Sequence, residues 1–347
     1  MKIKSLTLIQ KIKQIKMNLV EINNKFPTEL DAIKYFEKIR WGKKIICPYC
    51  NHTRDNKKRT DDARLRCDNC NKSYSVTVNT NLHNTRLPLK TWLMAFAIVS
   101  DAKKGLSALQ LDRNLGVHYE TAFNMYHKIR ELMVMDNNTI DELDGIVEMD
   151  ETYVGAKRPR LNNNGKRTFD KIEFTLAKET DQKIKEYKEA GFNFKAKRGN
   201  PAYVDPDIKR GKGTNKIPVV GILERDGNVI AEVMRNVNGA NLKAMVQKCV
   251  DEESSILITD ENPEYKKVDR IIERVKINHK ELYSYKGVNT NSIESFWAFI
   301  KRQIMGQHHH VSAKYLPKYV AETVFKYNNR KDDDMFETLV INSMKNK

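Results

Sequence analysis

The sequence has no apolar run long enough to cross a membrane. Its longest, around Trp92–Val99, is far short of the roughly 20 residues a spanning helix needs. It also lacks a continuous apolar core behind its first lysines, because MKIKSLTLIQKIKQIK sets Lys among the apolar positions, which argues against a secretory leader. Cysteine is scarce and odd in number, with five in 347 residues, four of them in two close pairs. Without an export signal, such pairs hold metal more often than they form disulfides. Acid is in deficit: 45 Asp and Glu against 62 Lys and Arg leave a net charge of +17. These shortages exclude a membrane-spanning protein and make a small neutral ligand a poor match. They favour a polyanion, with nucleic acid ahead of an anionic membrane surface.

Length predicts two or three modules. Residues 1–24 read as a basic, solvated arm, followed by a helix capped by Thr28 with Ala32, Ile33, Phe36 and Ile39 at helical spacing, ending near Gly42. Cys47-Pro-Tyr-Cys50 and Cys67-Asp-Asn-Cys70 are two C-x-x-C knuckles separated by 16 residues. That spacing brings four thiolates to the corners of a tetrahedron, which suits a closed, structural Zn²⁺ site. The polar stretch between them cannot pack a core unaided, so the metal holds it. Nine basic residues between Lys43 and Lys72 suggest phosphate contact. Cys249, alone in an apolar helical stretch, reads as a core residue.

Three helices follow. Pro88 opens the first, Ser107 caps the second, and Gly116-Val117 turns the chain into a third from about His118. A short helix, a glycine turn and a longer helix form a helix-turn-helix signature. On that reading Tyr119, Glu120, Asn124, His127, Lys128 and Arg130 are placed to face DNA. Residues 136–145 read as a linker.

Beyond Gly145 the texture becomes α/β. Strands are predicted at Ile146–Val154, Ile217–Glu224 and Val229–Val237, the last two joined by an Asp-Gly hairpin turn. A helix over Ala240–Val250 and a buried strand ending at Asp260 complete the order expected of an RNase H-like domain. Carboxylates on buried strands are costly unless a cation shares them. Asp150 on the first strand and Asp260 at the end of the later one can share Mg²⁺ if the strands are neighbours. A third ligand, Glu294, lies in the first turn of a helix capped by Asn291 or Ser292, and Lys301 falls almost two turns further along the same face. Spacing leaves two choices open. Glu148 shares a strand face with Asp150, whereas Glu151 points the other way, and Glu261 adjoins Asp260.

Many short motifs occur together and in order. In the first half these are Arg40-Trp41, the first knuckle, Tyr74-Ser-Val-Thr-Val78, Arg86-Leu-Pro-Leu89, Trp92, Lys103-Lys-Gly-Leu-Ser107, Leu109-Gln-Leu111 and Leu115-Gly116-Val117. In the second half they are Glu148-Met-Asp-Glu-Thr-Tyr-Val-Gly155, Pro218-Val-Val-Gly221, Thr259-Asp260, Asn289–Trp297, Lys301-Arg302, Gly306, His309-His-Val-Ser312 and Tyr327-Asn-Asn-Arg330. From about Phe26 to about Arg330 the sequence resembles the zinc-ribbon DDE transposases of bacterial insertion sequences of the ISXO type, relatives of the eukaryotic Merlin elements. The resemblance implies a catalytic triad of Asp150, Asp260 and Glu294 holding Mg²⁺ or Mn²⁺, with Lys301 as the base that follows the third acid. It departs from the family at Asn289, where His is usual, and in a long segment, 156–216, with 17 Lys and Arg against 8 Asp and Glu.

The fold class expected is multidomain α/β, with an N-terminal zinc ribbon plus helix-turn-helix and a C-terminal RNase H-like catalytic domain. The expected layout is an arm and helix at 1–40, ribbon at 41–85, helix-turn-helix at 86–136, catalytic domain at 145–330 with a basic insertion at 156–216, and a tail at 331–347. The expected function is Mg²⁺-dependent cleavage and strand transfer at terminal inverted repeats, by a homodimer on double-stranded DNA, in a bacterial cytoplasm at the nucleoid. Tyr119, Asn124, Lys128, Lys301 and Arg302 are the expected DNA contacts. The alternatives are a non-catalytic DNA-binding regulator and a nuclease that cuts without joining. The run His308-His309-His310 is read as structural or DNA-contacting, since three adjacent residues seldom all ligate one metal.

Overall fold

The computed structural model describes residues 17–54, 60, 63–138, 140–155, 216–277, 290–331 and 335–346. The first 16 residues, Asn289 and nearly all of the basic segment 156–216 therefore lie outside the described residues.

The N-terminal half is helical around a small metal-ribbon motif. Helix α1 (Leu19–Lys25) and helix α2 (Glu29–Trp41) each begin with a capping box: Asn18 with Glu21, and Thr28 with Asp31. Two two-residue hairpins follow. Strand β1 (Ile45–Ile46) pairs with β2 (Thr53–Arg54), and β3 (Leu65–Arg66) pairs with β4 (Ser73–Tyr74), both antiparallel. Then come α3 (Leu89–Asp101), α4 (Ala108–Leu115) and α5 (Tyr119–Asn137). Ser107 caps α4 by accepting from the Gln110 amide, and Gly116 ends it in the left-handed conformation (φ +64°), which a glycine adopts without steric cost. The expected short helix, glycine turn and longer helix are thus present.

The C-terminal half is a five-stranded sheet. Its strands are β5 (Leu143–Val154), β6 (Ile217–Glu224), β7 (Val229–Val233), β8 (Val250–Asp260) and β9 (Glu273–Ile277), in the order β7-β6-β5-β8-β9. The first three run antiparallel to their neighbours, while β8 and β9 add parallel to β5. This is the RNase H-like arrangement that the order of elements predicted. One face packs on α6 (Gly239–Cys249) and a 3₁₀ segment (Pro263–Arg270) through Val147, Met149, Ile222, Leu242 and Tyr265. The other packs on α7 (Asn291–Gln303) and α8 (Leu316–Asn328) through Val154, Val219, Ile293, Phe296 and Val320. A five-residue π turn (Ile304–His308) ends α7. Cys249 is buried in the first of these cores, as its apolar surroundings predict.

Two boundaries differ from expectation. The linker is short, since α5 runs to Asn137 and β5 begins at Leu143. The last residues are not a free tail. They form α9 (Met335–Met344), whose Phe336, Leu339, Val340 and Met344 are buried in the core of the N-terminal helices. Asn81 fixes it by donating to the backbone oxygens of Asn342 and Lys345.

The halves are joined by a buried ionic knot. Glu322 on α8 accepts from Arg130 Nε (2.8 Å), from Lys326 Nζ (2.7 Å) and from the Tyr126 hydroxyl. The Arg130 guanidinium lies between the rings of Tyr126 and Tyr319, 3.7 and 3.8 Å from their centroids. Arg130 and His127 are consequently corrections to the sequence reading. Both are buried at the seam and do not face solvent, because they lie on the side of α5 that meets α8. Among the described residues no helix is long and apolar enough to cross a membrane.

Candidate functional site

The metal-ribbon site is built from two matching turns. In each, the amide of the first cysteine donates to the carbonyl two residues past the second, Cys47 to His52 and Cys67 to Lys72. The residue after each second cysteine is an asparagine with positive φ, Asn51 at 56° and Asn71 at 60°. Asparagine tolerates that conformation better than most side chains. The turns bring the Cys47, Cys50, Cys67 and Cys70 sulfurs within 4.8 Å of one another, with Cys47–Cys70 at 3.7 Å and Cys50–Cys67 at 3.6 Å. A tetrahedron with Zn–S bonds of about 2.3 Å has edges of about 3.8 Å, so the donor set fits zinc.

The acidic site lies where β5 and β8 run side by side. Their parallel register pairs Glu148 with Ile258. Carried two residues further at the same offset, it sets Asp150 beside Asp260 on one face of the sheet. Burial, Glu151 and Asp260 together raise the Asp150 carboxyl to about 7 despite help from hydrogen bonds. Asp260 is held at its strand end by the Asn262 amide, which donates to its Oδ1 at 3.0 Å.

The neighbouring acids are committed elsewhere, which separates them from Asp150. Glu148 is fully buried. One of its oxygens accepts from Arg225 at 3.1 Å and the other from the Ile293 amide at 3.0 Å. Ile293 is in the first turn of α7, so Glu148 caps the helix that carries Glu294. Sequence reasoning assigned this cap to Asn291 or Ser292. The helix instead starts after Thr290 without a side-chain cap of its own, and the acid from the sheet takes that place. Glu151 points to the opposite face, as the alternation predicts. It accepts from Asn262 Nδ2 (3.0 Å) and the Tyr265 hydroxyl (2.7 Å) and so ties the Asp260 turn to β5.

Trp297, missed as a functional residue in the sequence, donates its indole N–H to Asp150 Oδ2 at 3.0 Å. It sits one helical turn beyond Glu294, so that acid projects toward the same rim. Gly221, paired with Asp150 across β5 and β6, makes the contact possible. A Cβ there would come 2.7 Å from the Trp297 ring and 3.2 Å from Ile293. Gly221→Ala is expected to cost about 1–3 kcal/mol by overpacking and to dislodge the indole. Thermal melting and the tryptophan emission spectrum would check this, and an unchanged melt and spectrum would contradict it.

Glu294 is exposed, as are Lys301 and Arg302 further along α7. Among the described residues the four cysteines are the one group of three or more Cys, His, Asp or Glu whose ligand atoms lie within 4.8 Å of one another. The carboxylates of Asp150, Asp260 and Glu294 do not all come within that distance of one another. On α5, Tyr119 and Asn124 are exposed, whereas Lys128 is partly buried and paired with Glu131 at 3.0 Å. His308 packs its ring on Tyr319, 4.7 Å between centroids, while His309 and His310 are exposed.

Residues 27–73 match the model of a transposase zinc-ribbon domain, and residues 197–328 match that of the ISXO2-like transposase domain. The second match begins beyond β5 and takes in Asp260, Glu294 and Lys301. No curated protein matches the sequence. Among solved structures, similarity extends to a pre-cleavage Mos1 transpososome (12% identity, 72% of this chain and 78% of that one, TM-score 0.26). It also extends to the Mos1 strand transfer complex (12%, 73% and 78%, 0.25) and to the Mos1 mariner paired end complex with Mn (13%, 71% and 73%, 0.25). At those scores the likeness adds nothing to the sheet order described above.

Proposed function

This chain belongs to the zinc-ribbon transposases of the ISXO2-like family, and from that premise we propose that it cuts DNA at the ends of its element and joins them to a target, using Asp150, Asp260 and Glu294. The observation that carries the assignment is the crowding of Asp150. A half-buried carboxylate on the same face as Asp260, its charge disfavoured by desolvation and by the charges of Glu151 and Asp260, is a place where a cation relieves an existing cost. Divalent ions bound there supply activation of the attacking oxygen and stabilisation of the leaving one.

The chain's own residues do the positioning. Trp297 fixes one Asp150 oxygen. Asn262 holds Asp260 through its backbone amide. Glu148, through the Ile293 amide, seats the helix from which Glu294 projects. Lys301 and Arg302, exposed along that helix, supply positive charge for the phosphate backbone. The ribbon and the exposed side of α5, with Tyr119 and Asn124, recognise the element end, and Lys128 joins them when it exchanges Glu131 for a phosphate. Joining two ends requires two copies, so the working form on DNA is a homodimer.

The test is a strand-transfer assay. Duplexes taken from the DNA flanking the coding sequence, incubated with protein and Mg²⁺ or Mn²⁺, are expected to give both nicked and joined products. Nicks without joined products would identify a nuclease. End-binding without either product would identify a regulator.

A further inference from the structure

The seam between the two halves carries an open groove lined by Lys104, Lys301, Arg302, Met305, Gly306 and Gln307. Three of these are cations and none is an acid. Lys104 comes from the N-terminal half, yet its loop is anchored to the other. Lys326 Nζ donates to the Ala102 carbonyl at 2.7 Å, and a Cβ on the adjacent Gly105 (φ +72°) would come within 3.0 Å of Gln303 and Glu322. The π turn is tied back in turn, with Gln307 donating to Gln110 at 3.3 Å. The groove is therefore held in shape before any ligand arrives.

Within this cationic setting stands a large apolar side chain with no core to enter. Met305 is 67% exposed. It occupies the π turn, a local irregularity of the kind frequent at functional sites. It also continues the exposed stripe of α7 that includes Glu294, Lys301 and Arg302. Flexible apolar side chains flanked by Lys and Arg serve in DNA-bending proteins as wedges between base steps.

We propose that Met305 is such a wedge, inserting into the DNA duplex while Lys104, Lys301 and Arg302 hold the phosphates on either side of it. The inference rests on the DNA-cleaving reading above and adds a site of base unstacking to it. Its position is set by the helix. Eleven residues separate Glu294 from Met305, about 16 Å at 1.5 Å per residue. That span corresponds to about five base-pair steps at 3.4 Å each. The distortion therefore falls about five pairs from the phosphate being cut.

The experiment uses the full chain and duplexes from the DNA flanking the coding sequence, each carrying 2-aminopurine at one position of a walking series. Binding, nicking with Mg²⁺ and fluorescence are read on the same samples. A fluorescence rise is expected about five pairs from the nick, lost in Met305→Ala and retained in Met305→Leu. Because Met305 is exposed, neither variant threatens the fold. A rise that persists in Met305→Ala overturns the wedge, as does a wild-type protein that nicks without a rise at any position. A Met305-dependent rise without nicking leaves the wedge standing and removes the cleavage reading. Failure to bind any duplex removes both.

Discussion

Asp150→Asn is expected to melt at the same temperature as the parent protein or higher, to bind element ends with unchanged affinity, and to yield no Mg²⁺-dependent nicks above background. The three outcomes share one cause. The Asp150 carboxylate is desolvated beside Glu151 and Asp260, so its charge is a burden to the metal-free fold. Asparagine keeps an oxygen for the Trp297 indole and discards the charge. What the site loses is the anion a metal needs. Stability and activity therefore move in opposite directions, as is common where a fold carries a functional group under strain. Nicking at the parent rate would remove Asp150 from the site. A marked loss of melting temperature would show that its charge is structural after all. Glu148→Gln separates the alternatives, because buried Glu148 pairs with half-buried Arg225 and caps α7. That variant is expected to lose stability as well as activity.

Glu322→Gln is expected to cost about 3–5 kcal/mol, because it leaves buried Arg130 and Lys326 without their counter-charge. That corresponds to a fall in melting temperature on the order of 10 °C. Replacing the whole knot by Arg130→Met, Glu322→Leu and Lys326→Met is expected to recover much of the loss, since uncharged side chains of similar size incur no desolvation cost. A Glu322→Gln protein that melts with the parent would refute this account of the seam.

Acid should reach the same seam in two stages. Burial disfavours the Glu322 anion, but Lys326 and Arg130 outweigh that and hold its carboxyl down at about 2 against a usual 4.5. Its contribution is complete above pH 4.5 and is lost as pH falls toward 2. His127 and His308 act earlier. Burial and then Arg130 push both rings from 6.5 down to about 4, so they stay neutral in the fold but take up protons more readily in the unfolded chain. Their share is complete above pH 6.5 and is lost as pH falls through 4.

The elements of this fold were legible in the sequence wherever local chemistry decides. Thr28 and Ser107 announce their helices through caps, Gly116 announces a turn, and the two knuckles announce their site through spacing alone. The order of strands and helices pointed to the class of sheet, although not to its fifth strand, β9. Partnerships between segments distant in sequence were not legible. Nothing near Glu148 signals that it caps a helix about 145 residues later, and nothing near Trp297 signals an aspartate on β5. His127 and Arg130 look like polar residues on a recognition helix, but their side of α5 becomes interior only when α8 packs on it. The same limit hid α9, whose apolar residues are legible as a helix only against the core they complete.

That last helix has a consequence for synthesis. Helices α2, α3 and α5 emerge from the ribosome early, but their shared core is closed by residues 335–344. The N-terminal helical core is thus unfinished until the five-stranded sheet has already been made. A chain cut short anywhere in that sheet has an open apolar core where its completed counterpart has a sealed one. Truncated products should be taken by proteases or chaperones sooner than the full-length chain.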